Sequence, residues 1–242
     1  RIPHRKEHTQ KMGKIEDRLK DLADEKYAEF AKALIPNEEK YAISGVRMPM
    51  IRNLAKEIAK EDAADAKAFI RRQHKTIEEN MMHGMLIERL FGKDFDAVMK
   101  ETEKFLHLIT NWSVCDTYNP KIFLKHKDKV KPFVMKWLSS DKTYTIRFGI
   151  VTAMRLYLKD DAFDKELMLL IASMKSDEYY IKMAIAWYMS CAVIFQYDEA
   201  KKALASGIMD PWTRNKSIQK AKESYRVSSE RKKELEGLKA KV

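Results

Sequence analysis

Ser140-Asp141, followed by Ile146-Arg147-Phe148-Gly149-Ile150, is echoed by Ser176-Asp177, followed by Ile181-Lys182-Met183-Ala184-Ile185. The Ser-Asp pairs start 36 residues apart and the isoleucines 35 apart, a period that an antiparallel helix pair fills. His83-Gly84-Met85-Leu86-Ile87 is a fainter third copy, with a small residue where two helices would pack closely. Each Ser-Asp pair offers an N-cap. The repeat implies a curved α-solenoid of antiparallel helix pairs in a single domain, its concave face lined by the same helix of every repeat.

Composition agrees with an all-α chain. Seven Gly and six Pro in 242 residues, with 45% hydrophobic content, allow a sizeable core, and no alternating strand pattern is visible. A first helix is expected from about Met12 to Ala33, broken near Ala23, with Leu19, Leu22, Tyr27, Phe30 and Leu34 at helical spacing and Pro36-Asn37 as its stop. Ser44-Gly45-Val46-Arg47-Met48-Pro49 is a turn leading into a helix with Pro in its first turn. Ile51, Leu54, Ala55 and Ile58 form that helix's buried stripe, leaving Arg47, Arg52 and Lys56 on the wet side. Further helices are expected at Ala63–Gln73, Ile77–Phe91 and Phe95–Ile109, and from Trp112 through a Pro120 break to His126. Phe133, Val134, Trp137 and Leu138 make another apolar stripe. Met81, Met82, Met85 and Leu86 read as core filler. Two last helices are expected at Thr213–Arg226 and Ser228–Lys241.

Lys+Arg 47 against Asp+Glu 36 gives a formal charge of +11 and a pI near 9.4, which favours a polyanionic partner, nucleic acid ahead of acidic membrane. Composition alone does not separate that partner from a merely basic surface. From Thr213 onward ten Lys or Arg face four Glu, a segment that reads equally as a phosphate-binding flank or as a soluble cap with Glu–Lys pairs. The two cysteines, Cys115 and Cys191, each in an apolar or helical context, argue against a disulfide framework and point to a reducing, cytoplasmic setting. No apolar run reaches the roughly 18 residues of a membrane span, and no signal peptide is visible. Residues 1–11 read as a leader or extension, with Met12 a possible start and the domain running over 12–242. His4 and His8 have ligand spacing but fall in that leader, and the other histidines stand alone, so no metal or cofactor is expected.

The chemistry-bearing stretch is Asn111-Trp112-Ser113-Val114-Cys115-Asp116. Trp112 and Asp116 are four apart and share a helix face, an aromatic plane beside a carboxylate. That pairing suits a cationic, sugar-like transition state. Arg147 and Trp187 fall on successive inner helices and are candidates to converge with it. On spacing alone Trp187 shares a stripe with Met183 and Cys191 that also reads as core, and Trp112 and Asp116 also read as a packed aromatic and a helix-terminal carboxylate.

Taken together, Gly45-Val46-Arg47-x-Pro49-x-x-Arg52-x-Leu54, Trp112-x-x-x-Asp116, Ile146-Arg147 and Tyr179-Tyr180-Ile181-Lys182-x-Ala184-Ile185-x-Trp187 resemble the bacterial DNA alkylation repair family, the AlkD-like group of HEAT-like-repeat DNA glycosylases. The resemblance runs from about Ala23 to the C-terminus. It implies a protein with double-stranded DNA in its concave face, excising N3- or N7-alkylated purines without drawing the base into a pocket. A monomer without obligate protein partner or cofactor is expected. The resemblance places Trp112, Asp116 and Trp187 around the lesion's deoxyribose and Arg147 on backbone phosphate, with Tyr179 and Tyr180 at a paired-aromatic position. Lys182 in the same motif, Arg47 before the second helix, and Arg214 and Lys216 in the basic C-terminal segment are further candidate DNA-facing residues. Ser190 departs from the pattern, which carries a basic residue near that position, and Tyr179-Tyr180 replaces a Phe pair. A non-catalytic repeat module binding nucleic acid or protein is therefore the second reading.

Overall fold

The computed structural model describes residues 15–240; the expected leader, His4, His8 and Met12 lie outside them. Among the described residues the chain is all-α, with fourteen α-helices and three short 3-10 turns. The only β-type pairing among the described residues is an isolated bridge between Ala42 and Thr76. The chain forms two compact units, one ending at Leu90 and one starting at Phe91.

The first unit contains α1 (Ile15–Asp21), α2 (Glu25–Leu34), α3 (Met48–Glu61), α4 (Ala63–Phe69) and most of α5 (Ile77–Phe91). The break expected near Ala23 falls there because Asp24 caps α2, its carboxylate accepting from Tyr27 N at 3.0 Å. The α3 stripe buries Ile51, Leu54, Ala55 and Ile58 as the spacing requires. Phe30 and Leu34 depart from their expected stripe, for both are exposed; α2 is short and buries only Ala28. The α4 helix stops at Phe69, short of Gln73. His74 and His83 do not stand alone: His74 Nε2 and His83 Nδ1 lie 2.9 Å apart in the core.

The Gly45 turn is built from the buried Glu78 carboxylate, which accepts from Ser44 N at 3.1 Å and Gly45 N at 2.7 Å. Gly45 has φ +83°, and a Cβ there would stand 2.1 Å from the Asp24 carbonyl oxygen. Only glycine meets both demands. The stretch thus specifies a chain reversal against the start of α2.

The second unit contains α6 (Phe95–Phe105), α7 (Trp112–Thr117), α8 (Lys127–Leu138), α9 (Thr143–Leu156), α10 (Lys165–Ser173), α11 (Tyr179–Phe195), α12 (Tyr197–Ala205), α13 (Pro211–Glu223) and α14 (Ser229–Glu236). A 3-10 turn over Leu106–Leu108 extends α6, and another over Lys121–Lys125 follows the Pro120 break. Side chains of Asp94, Asn111, Asp164, Asp210 and Ser228 cap five of these helices. The helices α9, α11 and α13 stack side by side, while α8 backs α9 and both α10 and α12 back α11. This is the repeat read from the sequence.

Gly149 sits where α9 meets α8: a Cβ there would lie 3.1 Å from Trp137 Cβ and 3.3 Å from Leu138 N. Trp137 and Phe148 fill the space beside it edge to face, centroids 4.9 Å apart. The Ser-Asp pairs do not cap. The N-caps of α9 and α11 are Lys142 and Glu178, and the serines act one step earlier: Ser140 Oγ accepts from Lys142 N and Ser176 Oγ from Glu178 N, both at 3.1 Å. Before α13 the arrangement differs: Ser206 ends α12 and Asp210 caps α13, accepting from Thr213 N at 3.0 Å. The echo before α9 and α11 is a serine turn that aims the incoming helix.

Candidate functional site

The short helix α7 sets Asp116 by burying its opposite side. Asn111 caps the helix through Val114 N at 3.0 Å, and Val114 and Cys115 fill the core. Trp112 and Asp116, one turn apart, are left half-exposed on a common face.

Arg147 on α9 grips Asp116 with two prongs. Its Nε donates to Oδ1 at 2.9 Å and its Nη2 to Oδ2 at 2.6 Å, while Nη1 donates to the Tyr180 carbonyl at 3.0 Å. The guanidinium side chain is 8% exposed and the carboxylate 17%. Burial alone would pull the Arg147 guanidinium down, but its hydrogen bonds and charge pairing with Asp116 lift it above its ordinary value. Arg147, expected on backbone phosphate, is thus occupied with a carboxylate and a carbonyl. Three of its five N–H groups are taken. Asp116 keeps two of its roughly four lone-pair directions for something else.

A second arginine supports the same carboxylate from behind. Arg155, two turns along α9, donates from Nη2 to the Asp116 carbonyl at 2.6 Å and from Nη1 to the Tyr118 carbonyl at 3.3 Å. These carbonyls lie at the end of α7, where helix partners run out. Burial lowers the Arg155 guanidinium from its usual value. The sequence reading missed this residue, although its place eight positions after Arg147 on one helix was visible. Cys115 beside Asp116 is inert as a nucleophile: burial, then the Asp116 charge, push its thiol well above the usual range.

The starts of α9, α11 and α13 carry a line of aromatic rings. Tyr144 and Tyr180 have centroids 5.8 Å apart, Tyr180 and Tyr179 5.3 Å, and Tyr179 and Trp212 6.0 Å. Lys182 Nζ lies 4.7 Å from the Trp212 ring centre and 3.8 Å from Asp210 Oδ1. Lys216 Nζ lies 5.8 Å from the same ring. Through the Tyr180 carbonyl the line joins Arg147 and Asp116.

The remaining expected residues fall as follows. Trp187 is half-exposed on α11 with Met183 and Cys191, so the stripe exists but is the open face of α11 and not core. Its indole makes no ring stacking, cation–ring contact or hydrogen bond among the described residues, and it touches neither Asp116 nor Arg147 by such a bond. Arg214 turns inward, its Nη1 3.5 Å from the Leu204 carbonyl and its Nε buried without a partner among the described residues. Arg47 belongs to the first unit, where it donates to Asp24 Oδ2 at 3.0 Å and lies over the Tyr27 ring at 4.4 Å.

Stacked helix pairs presenting a forked carboxylate beside aromatic rings and lysines define a helical-repeat protein with a charged, solvent-open site. The chain belongs to the family described as DNA alkylation repair enzyme, whose model matches residues 15–221. Membership places it in the repair of alkylated DNA, with DNA as the material acted on. No individual curated protein gives a match. No described helix is long and apolar enough to cross a membrane.

Proposed function

We propose that the protein is a DNA glycosylase that hydrolyses the N-glycosidic bond of N3- or N7-alkylated purines in duplex DNA. The observation that carries this reading is the Asp116 carboxylate: fixed in place by Arg147, still 17% exposed, and on the same helix face as Trp112.

An alkylated purine is cationic and already a good leaving group. Its C1′–N bond breaks with both electrons going to the base, which departs neutral, so no general acid is required. The sugar left behind is oxocarbenium-like, and a fixed carboxylate stabilises it without reorganising. Water then attacks C1′ and gives up a proton, for which the free lone pairs of Asp116 are the acceptor. Trp112 and Trp187 would present ring faces to the developing charge, each contributing about 1–2 kcal/mol once desolvated. Arg147 and Arg155 act as positioning residues, one on the carboxylate and one on its backbone. Tyr179, Tyr180, Lys182 and Lys216 would meet the duplex beside the lesion. In this reading the cytoplasmic, monomeric enzyme needs no cofactor.

A second reading is favoured by the same fork: a carboxylate held at both oxygens by a buried arginine also serves as a structural pair, and the chain would then be a non-catalytic DNA-binding member of the family. Incubation with duplex DNA containing N7-methylguanine separates the two. The glycosylase releases free methylated base; a folded protein that binds this duplex and releases none is the non-catalytic member.

A further inference from the structure

Apart from Lys182, the partly exposed residues of α11 fall at Tyr180, Met183, Trp187, Cys191, Ile194 and Phe195, and they make one continuous stripe along the helix. At its N-terminal end the stripe meets Arg147 and Asp116 through the Tyr180 carbonyl. At its other end it meets a group of cations. Lys159 Nζ lies 4.8 Å from the Phe195 ring centre and the Arg226 guanidinium 4.6 Å from it. The charge of Lys220 acts there too: burial pushes the Cys191 thiol up, while Ser190, Arg226, Lys159 and Lys220 pull it back.

Neighbouring cations are spent on acids. Lys222 and Lys239 pair with Glu236, and Lys201 pairs with Glu234. Lys159, Lys220 and Arg226 have no ion pair among the described residues, and Glu223, the carboxylate nearest in sequence to Lys220 and Arg226, accepts from Gln219 Nε2 at 3.0 Å. Two like charges over one aromatic ring, with a third whose charge also acts on the nearby Cys191 thiol, repel one another unless an anion sits between them.

We infer that Lys159, Lys220 and Arg226 form a phosphate grip at the C-terminal end of α11, holding the backbone of duplex DNA whose lesion lies at Asp116. This rests on the reading of Asp116 as the lesion site. Tyr180 and Phe195 are fifteen residues apart on one helix, about 22 Å at 1.5 Å per residue. With about 3.4 Å per nucleotide along a strand, the grip meets phosphates roughly six base pairs from the lesion. The phosphate contacts fix register and carry no sequence information. The surplus of positive charge at the end of the chain thus has a defined place to act.

The test is salt-dependent binding of the full chain to an undamaged duplex, from about 50 to 200 mM salt. The triple variant Lys159→Gln, Lys220→Gln, Arg226→Gln is compared with a charge-matched triple, Lys121→Gln, Lys125→Gln, Lys129→Gln, at exposed lysines of another segment. The grip predicts that the first triple keeps the parent's thermal midpoint, lowers the log–log salt slope by about 2–3, and weakens binding on the order of 100-fold at low salt. The charge-matched triple should change the slope by less than about 1. Arg226→Lys should preserve the slope where Arg226→Gln does not. Equal losses from both triples, or an unchanged slope in the first, overturn the grip. Base release is measured separately: a parent that releases none while the slope still falls refutes the glycosylase reading and leaves the grip standing.

Discussion

The Asp116–Arg147 fork makes a quantitative prediction about stability. Asp116→Asn leaves a guanidinium that is 8% exposed without its counter-charge, while Arg147→Met leaves a carboxylate that is 17% exposed without its two donors. Breaking a buried pair from one side costs about 3–5 kcal/mol, because the surviving charge stays in a poorly solvated place. The deeper partner is Arg147, so Asp116→Asn should be the more costly change. We expect about 3–4 kcal/mol for it and about 2–4 for Arg147→Met, which also loses the bond to the Tyr180 carbonyl. The double variant strands neither charge and should cost no more than the worse single change, giving a coupling energy of about 2 kcal/mol or more. All four tryptophans, Trp112, Trp137, Trp187 and Trp212, lie after Phe91. Urea unfolding followed by tryptophan fluorescence therefore reports the unit that holds the pair. Strictly additive single effects, or an Asp116→Asn cost below about 1 kcal/mol, would refute the clamped fork.

Other consequences are as direct. Gly45→Ala forces a Cβ to 2.1 Å from the Asp24 carbonyl oxygen at φ +83°, so we expect a loss of about 3 kcal/mol or more, read as a lowered thermal midpoint by circular dichroism. Burial, joined by the Arg72 charge and opposed by Glu16, brings His74 from 6.5 down to about 4. The folded state therefore holds a neutral His74 while the unfolded chain takes up a proton below 6.5. Its contribution is complete above pH 6.5 and is lost as pH falls towards 4, by on the order of 3 kcal/mol. The difference between parent and His74→Phe urea midpoints should narrow over that window; a constant difference contradicts the assignment. Trp187→Ala removes a half-exposed ring with no polar partner, so stability should fall by under about 2 kcal/mol. If Trp187 faces the charged sugar, single-turnover base release should slow about tenfold.

The helical repeat was legible because it is written in local terms: apolar residues at spacings of three and four, Asp or Asn before α2, α4, α6, α7, α10 and α13, and a serine turn that recurs 36 residues on. The buried stripe of α3 and the full extent of α5 followed from periodicity alone. The use of each serine did not, since a hydroxyl two residues upstream of a helix and one at its cap look alike in sequence. Phe30 and Leu34 show a related limit: helical spacing gives a common face, but only the packing of neighbours decides whether that face is covered.

The same limit governed the site. Trp112 and Asp116 were readable as a pair because four residues within one helix fix a shared face. The partner of Asp116 was not, because Arg147 lies 31 residues away and a buried arginine fork has no local signature. Arg147 was expected to reach outward to phosphate; its long side chain instead spends three donors inside the protein. Arg214 was expected among the DNA-facing cations and turns towards the Leu204 carbonyl. Lys159 and Arg226 meet at Phe195 only through the stacking of α9, α11 and α13. No run of sequence announces such a meeting.

The central claim is that Asp116 carries the chemistry, and the most direct test is release of free base from duplex DNA containing N7-methylguanine by the parent and by Asp116→Asn. Both are assayed at a temperature where tryptophan fluorescence shows the variant still folded. The account predicts release by the parent and a loss on the order of 100-fold or more in the variant, the scale for removing one preorganised electrostatic group. A folded Asp116→Asn protein that releases base at the parent's rate would contradict it.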